Sequence, residues 1–222
     1  WESTANNHHL LGNTSPDADA VYIELTNINL DRQDMNAAVG VYNGKITLGK
    51  DVALSGQDGN MILANGEKAA LELGDGCELS YAAGSSPCCA SAWFGAILVL
   101  NGGKTAAGAY IGLDCNFYPA VSYPLISVPK ALTGDVHLLL KMIGTTPVAQ
   151  GIGNYQLTQA DCDRLKVNPE STVSLYMGQR DKYDGNFELH LDPAASFQIK
   201  LRPKNFCLLY TSPSPRDRQK SR

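Results

Sequence analysis

Met61-Ile-Leu-Ala-Asn65-Gly66-Glu-Lys-Ala-Ala-Leu-Glu-Leu73 holds two short apolar runs on either side of an Asn-Gly pair. Met61–Ala64 and Lys68–Leu73 are strand-sized. Asn-Gly is the strongest short signal for a tight hairpin, because a type I′ turn needs positive φ at both central residues. The stretch therefore predicts two antiparallel strands. Val39–Leu48 gives the same reading around Asn43-Gly44.

Other strands follow along the chain. Val21–Leu30 alternates, with Val21, Ile23 and Leu25 on one face. Cys77–Ala82, Leu125–Val128, Val136–Ile143, Gly153–Leu157, Thr172–Met177, Phe187–Leu191 and Phe197–Leu201 continue the pattern. Trp93–Leu100 is apolar on both faces, as a central strand would be. Asp184-Gly185 reads as a further hairpin bend. Turn signals recur about every 8 to 12 residues, and no fixed-period repeat stands out. The expected fold is all-β, a β-sandwich of the jelly-roll kind. Helix signals are sparse. Thr158-Gln-Ala-Asp161 resembles an N-cap with an acid three residues later, which predicts a short helix.

Composition narrows the function classes. The chain has 222 residues, with 18 Lys+Arg against 22 Asp+Glu and a net charge of -4. An acidic balance argues against nucleic-acid binding, which needs clustered cations. The longest apolar run, Ala96–Leu100, falls far short of the roughly 20 residues that cross a bilayer, so no membrane insertion is expected.

The two ends differ from the middle. Residues 1–19 are polar and read as a linker or the end of a preceding domain; His8-His9 there reads as solvated tail. Cys207–Asp217, with the basic run that follows, resembles the in-frame translation of a sequencing-library adapter. Residues 207–222 are set aside on that ground, which also implies a metagenomic source and a fragment. That tail carries Arg216, Arg218, Lys220 and Arg222 against Asp217, so the remainder has a net charge of -7. Five cysteines remain, an odd number, with no Cys-x-x-Cys pair. Buried thiols and disulfides both stay open.

The order of segments resembles a family 6-like carbohydrate-binding module, a galactose-binding-like β-sandwich. The residues that carry the resemblance are Ile23-Glu24-Leu25-Thr26-Asn27, Asn65-Gly66-Glu67-Lys68-Ala69-Ala70, Val99-Leu100-Asn101-Gly102-Gly103, Leu132–Leu140 and Gly153-Asn154-Tyr155-Gln156-Leu157. The resemblance places the sandwich at residues 20–160. Residues 161–206 are then additional strands or a truncated next domain.

What the resemblance implies is non-catalytic binding of a polysaccharide or oligosaccharide, by a module covalently linked to other domains of a secreted glycoside hydrolase or surface protein. The expected location is extracellular or at the cell surface. Asn154 would bond sugar hydroxyls, and Tyr118, then Tyr123, then Trp93 would stack on the ring. Glu24 would help hold a structural calcium. The sequence departs from the family at Lys68 and Ala69, where a second ring is usual, and at Thr26 and Gln156, where acids are usual. Two other readings remain: a ligand-free structural spacer, and an accessory part of a glycoside hydrolase with carboxylates such as Asp114, Asp135, Glu170 and Asp184. His137 and His190 read as ordinary strand residues.

Overall fold

The Asn-Gly pairs turn the chain through a corner instead of back on itself. In the computed structural model, Gly44 and Gly66 have φ of 123° and 94°, but Asn43 and Asn65 are not in the left-handed region. A type I′ hairpin needs both residues there. With only one, the chain bends and runs on into a different sheet. Ile62 consequently lies opposite Val39 and Ala90, while Leu71 lies opposite Ile46 and Leu98. The two arms of the stretch never pair with each other.

The structure describes residues 11–32, 38–56, 61–82, 88–114, 125–141, 147–168, 173–179 and 187–193. They form a parallel β-solenoid of about five turns. The first coil comprises β1 (Leu11–Gly12), β2 (Val21–Leu25) and β3 (Ile28–Arg32). The second comprises β4 (Val39–Val41), β5 (Gly44–Leu48) and β6 (Val52–Gly56). The third comprises β7 (Ile62–Asn65), β8 (Ala69–Leu73) and β9 (Glu78–Ala82), and the fourth β10 (Cys88–Trp93), β11 (Ile97–Leu100) and β12 (Lys104–Thr105). Then come β13 (Tyr110–Asp114), β14 (Ile126–Val128), β15 (Val136–Lys141) and β16 (Pro147–Gly151). The chain closes with α1 (Gln159–Arg164), β17 (Leu165–Val167), β18 (Val173–Gln179) and β19 (Phe187–Pro193).

Three sheets form the walls. Their orders are β1-β4-β7-β10-β13-β15-β17, then β18-β19-β16-β14-β11-β8-β5-β2, then β12-β9-β6-β3. This corrects the expected antiparallel jelly-roll or galactose-binding-like sandwich. Both folds are built from short alternating strands separated by turns, so alternation could not tell them apart. Among the described strands, only β19 pairs antiparallel, with β18 and β16. The bend expected at Asp184-Gly185 lies outside the described residues, but its flanks pair as a hairpin would require. β17 joins the first sheet and the hairpin joins the second, so both sheets run on past residue 160. The expected strand Phe197–Leu201 and the tail 207–222 lie outside the described residues.

The core is a stack of aliphatic rungs. In the second sheet Ile23, Ile46, Leu71, Leu98, Ile126 and Ala149 stand one above another, advancing by 23, 25, 27, 28 and 23 residues. From Ile46 to Ala149 every rung is fully buried. In the first sheet Val39, Ile62, Ala90, Ile111 and Leu138 do the same. Each fully buried aliphatic side chain contributes about 1.5–3 kcal/mol by leaving water. The apolar Trp93–Leu100 run, expected to be one strand, is two: Phe94 (φ 54°) and Gly95 (φ 92°) break it at a corner.

A second corner repeats a backbone conformation. Asn27, Asp51, Gly76 and Gly102 follow β2, β5, β8 and β11 with φ of 50°, 55°, 73° and 88°. Asn, Asp and Gly are the residues that tolerate this region most cheaply.

Two glycines test the corner account. A Cβ on Gly44 would sit 1.9 Å from the Val21 carbonyl oxygen of the neighbouring coil, whereas one on Gly66 would meet nothing within 4 Å. Gly66→Ala should cost about 1–2 kcal/mol, from backbone strain alone. Gly44→Ala should cost clearly more, and Leu71→Ala about 3 kcal/mol. Urea denaturation measures all three; equal losses for the two glycine variants would remove steric contact between coils as the reason.

Candidate functional site

A solenoid presents its outward residues in rows, one per coil, at strand spacing of about 4.8 Å. On the second sheet one row runs Tyr22, Lys45, Ala70, Ile97, and the next runs Glu24, Thr47, Glu72, Val99, Ser127, Gln150. Glu72 sits at the centre. Its carboxylate accepts from Lys45 Nζ at 2.7 Å and from Asn101 Nδ2 at 2.9 Å. Desolvation by burial pushes its pKa up, but the Lys45 and Asn101 hydrogen bonds outweigh that, and the net direction is down. These bonds tie three coils together along the face.

On the first sheet Lys166 lies opposite His137. The His137 ring meets Tyr110 edge-on, with centroids 5.6 Å apart. Thr105 Oγ1 accepts the His137 backbone N–H at 2.9 Å and lies 2.8 Å from His137 Nδ1. Lys166 Nζ donates to the Asp163 carbonyl at 2.5 Å and lies 4.0 Å from an Asp135 carboxylate oxygen. The imidazole, phenol and ammonium thus share one edge of the wall, with the imidazole fastened to the preceding coil through Thr105.

The most deeply built polar group lies at the far end. Asp161 is buried. Its Oδ1 accepts from the Leu132 N–H at 2.9 Å. Its Oδ2 accepts from the Tyr155 hydroxyl at 2.5 Å and from the Thr158 N–H and hydroxyl at 2.9 and 2.7 Å. Thr158 returns the bond to the Asp161 N–H, completing the capping box of α1. The helix expected from Thr158 and Asp161 is therefore present, and its acid does more than cap. Burial raises the Asp161 pKa, but the four donors outweigh burial and the net direction is down. Burial, then the bond to Asp161, pushes the Tyr155 phenol up to about 12.

Of the residues expected to bind sugar, the two described ones, Asn154 and Trp93, are carried by different sheets. Asn154 is exposed in the turn after β16. Trp93 is half-buried at the end of β10 in the other sheet, opposite Asn65 and Asp114, with its ring 6.2 Å from that of Phe94. Tyr118 and Tyr123 lie outside the described residues. Glu24 is exposed on β2 opposite Thr47. The next acid of that row, Glu72, is committed to Lys45 and Asn101. Among the described residues no three His, Cys, Asp or Glu side chains converge on one point.

Of the carboxylates considered for hydrolysis, Asp135 faces Lys166, while Glu170 and Asp184 lie outside the described residues. Cys77, Cys88, Cys89 and Cys162 are buried thiols outside any disulfide. Burial pushes Cys77 and Cys89 up to about 12, which keeps them protonated and unreactive at neutral pH. No helix among the described residues is long and apolar enough to cross a membrane.

Sequence reasoning missed buried polar groups, Asn13 and Thr105 among them. Asn13 donates to the carbonyls of Asp19 and Asn43 at 3.1 and 2.8 Å and accepts the N–H groups of Tyr42 and Asn43 at 2.6 and 3.3 Å. It sits in a stretch read as linker, and nothing local marks it. Thr105 was equally silent. Compared with known proteins, the chain matches no family model, no curated protein and no solved structure.

Asp161 gives a pH-dependent test. Its folded pKa lies below the unfolded value of about 3.9. The stability it contributes is therefore complete well above pH 4 and is lost as pH falls through the folded value. Asp161→Asn should cost about 2–3 kcal/mol at pH 7 in urea denaturation. The gap to the parent should narrow below pH 4; a gap independent of pH would show that charge on Asp161 is not involved.

Proposed function

We propose that the chain is a structural, non-catalytic solenoid segment, a rigid spacer within a larger protein. One observation carries the reading: the buried polar groups fasten the fold to itself. Asn13 ties the first coil to the second, Thr105 ties the fourth coil to β15, and Asp161 ties α1 to the chain before β15. A buried polar group held this way stabilises one arrangement and leaves little capacity for a ligand. The resemblance to a carbohydrate-binding module drew its site from positions in a sandwich, and of those positions Asn154 and Trp93 are carried by different sheets of the solenoid.

Polysaccharide binding is the second reading, and one contact favours it. Trp93 lies opposite Asn65 on the neighbouring coil, which sets an aromatic ring beside an amide. A ring can cover the apolar face of a sugar while an amide meets its hydroxyls.

Affinity electrophoresis through gels containing xylan, β-glucan, cellulose derivatives or agar separates the two. The spacer reading expects no retardation of the folded chain in any gel. Retardation that Trp93→Ala abolishes would overturn it and establish the second reading.

A further inference from the structure

The chain carries three Asn-Gly pairs, Asn43-Gly44, Asn65-Gly66 and Asn101-Gly102. The pair is chemically labile whatever turn it makes. A glycine nitrogen stripped of its proton can attack the asparagine Cγ, because glycine has no side chain to hinder closure of the five-membered ring. The solenoid treats the three pairs differently. Gly44 N–H is committed to the Lys68 carbonyl at 3.0 Å, and Gly66 N–H to the Trp93 carbonyl at 2.9 Å. Both bonds join adjacent coils, so attack by either nitrogen first costs its corner an inter-coil bond. Asn43 is held further, since its Nδ2 donates to the Ala18 carbonyl at 2.8 Å. Gly102 N–H makes no hydrogen bond among the described residues, although the residue is buried. Such a donor is rare in a folded chain. The Asp75 carboxylate and the Lys130 ammonium, 3.1 Å apart, lie over it. Their Oδ1 and Nζ are 2.7 and 2.9 Å from where a Gly102 Cβ would stand.

We propose that Asn101 is a site of spontaneous deamidation, set by the corner after β11. The Gly102 amide nitrogen gives up its proton and bonds Asn101 Cγ. The Cγ–Nδ2 bond breaks, and that nitrogen takes up a proton and leaves as ammonia. Water then adds across one of the two C–N bonds of the succinimide. One cleavage leaves aspartate at position 101, the other isoaspartate. No electrons are exchanged, and water is the only co-reactant. The surroundings favour the first step. Asp75 sets a carboxylate near the N–H to be lost, and the Lys130 ammonium stabilises negative charge on the nitrogen left behind. One bond restrains the Asn101 side chain, from Nδ2 to Glu72 Oε1 at 2.9 Å. It is a side-chain contact on the outer face and opens without disturbing the corner. The product carboxylate then faces that of Glu72 where a donor stood, so the modification severs the tie between the third and fourth coils. This chemistry holds whether the chain is a spacer or binds a polysaccharide.

Trypsin places the three pairs on separate peptides, residues 33–45, 51–68 and 69–104. The folded full chain is held in mildly alkaline buffer, sampled over time, digested and read by mass spectrometry with fragmentation. Peptide 69–104 should be the first to gain the mass of an –OH for –NH2 exchange. The change should map to Asn101 and divide into two products of different retention. In guanidinium chloride, where no N–H is committed, the three pairs should convert at similar rates. Glu72→Ala frees the Asn101 amide and should speed its conversion about fivefold, with Asn43 and Asn65 unchanged. Circular dichroism confirms that this variant is folded, and the comparison within the parent chain stands without it. Earlier conversion of Asn43 or Asn65 in the folded chain overturns the proposal. So does an Asn101 that converts only in guanidinium chloride, or no faster in folded Glu72→Ala.

Discussion

A coil of this chain cannot bury its own aliphatic residues. Its inward side chains, such as Leu71 and Ile62, are covered only because a coil above and a coil below present similar residues at the same height. Everything else follows from that dependence. Strands must be parallel and in register, since a one-residue slip would turn every rung outward. Corners must recur at matched places, hence the left-handed residues after β2, β5, β8 and β11. Coil lengths need not match, because a longer connection can leave a corner without disturbing the rung. Steps of 23 to 28 residues between rungs of the second sheet show that freedom in use.

The same freedom explains what the sequence concealed. Part of the strand pattern was legible, because inward and outward residues alternate whatever the strand pairs with. Ala69–Leu73 falls within the expected run Lys68–Leu73, but the expected run Val21–Leu30 is two strands broken at the Asn27 corner. Gly153–Leu157 forms no strand, and Val52–Gly56, Tyr110–Asp114 and Pro147–Gly151 were not anticipated. The pairing was not legible. A solenoid announces itself through a fixed repeat, and variable connections erased the period. Asn-Gly then pointed the wrong way. The pair signals that the chain needs positive φ, but not whether one residue or two adopt it. Gly44 and Gly66 adopt it alone, and that difference separates a corner from a hairpin. The break inside Trp93–Leu100 was hidden by similar means, because Phe94 takes a conformation its residue type seldom does.

The helix at residues 159–164 was legible for the opposite reason. A capping box is local, so Thr158 and Asp161 declare it without reference to the fold. What they could not declare is the reach of Asp161 to the Leu132 N–H, 29 residues away. Asn13 makes the point more sharply. It lies in a polar stretch that reads as linker, yet four hydrogen bonds make it a fixed part of the first corner. Buried polar residues of this kind are recognisable only once the chain's coils are stacked around them.

Stacking also bears on how such a chain ends. A rung buried on both sides is stable; a terminal rung has one side bare and must be capped or continued. At the C-terminal end the cap combines a short helix, a buried carboxylate held by four donors and an antiparallel hairpin. That device is polar where it meets the chain and aliphatic where it meets the core. The first coil has no counterpart among its described residues: Ile23 and Leu30 remain partly bare, and Leu11 is half exposed. The force that stacks the inner coils acts on that end unchanged. It does not distinguish a rung of one coil from a rung of the next, so each coil is both covered by its neighbours and the cover for them.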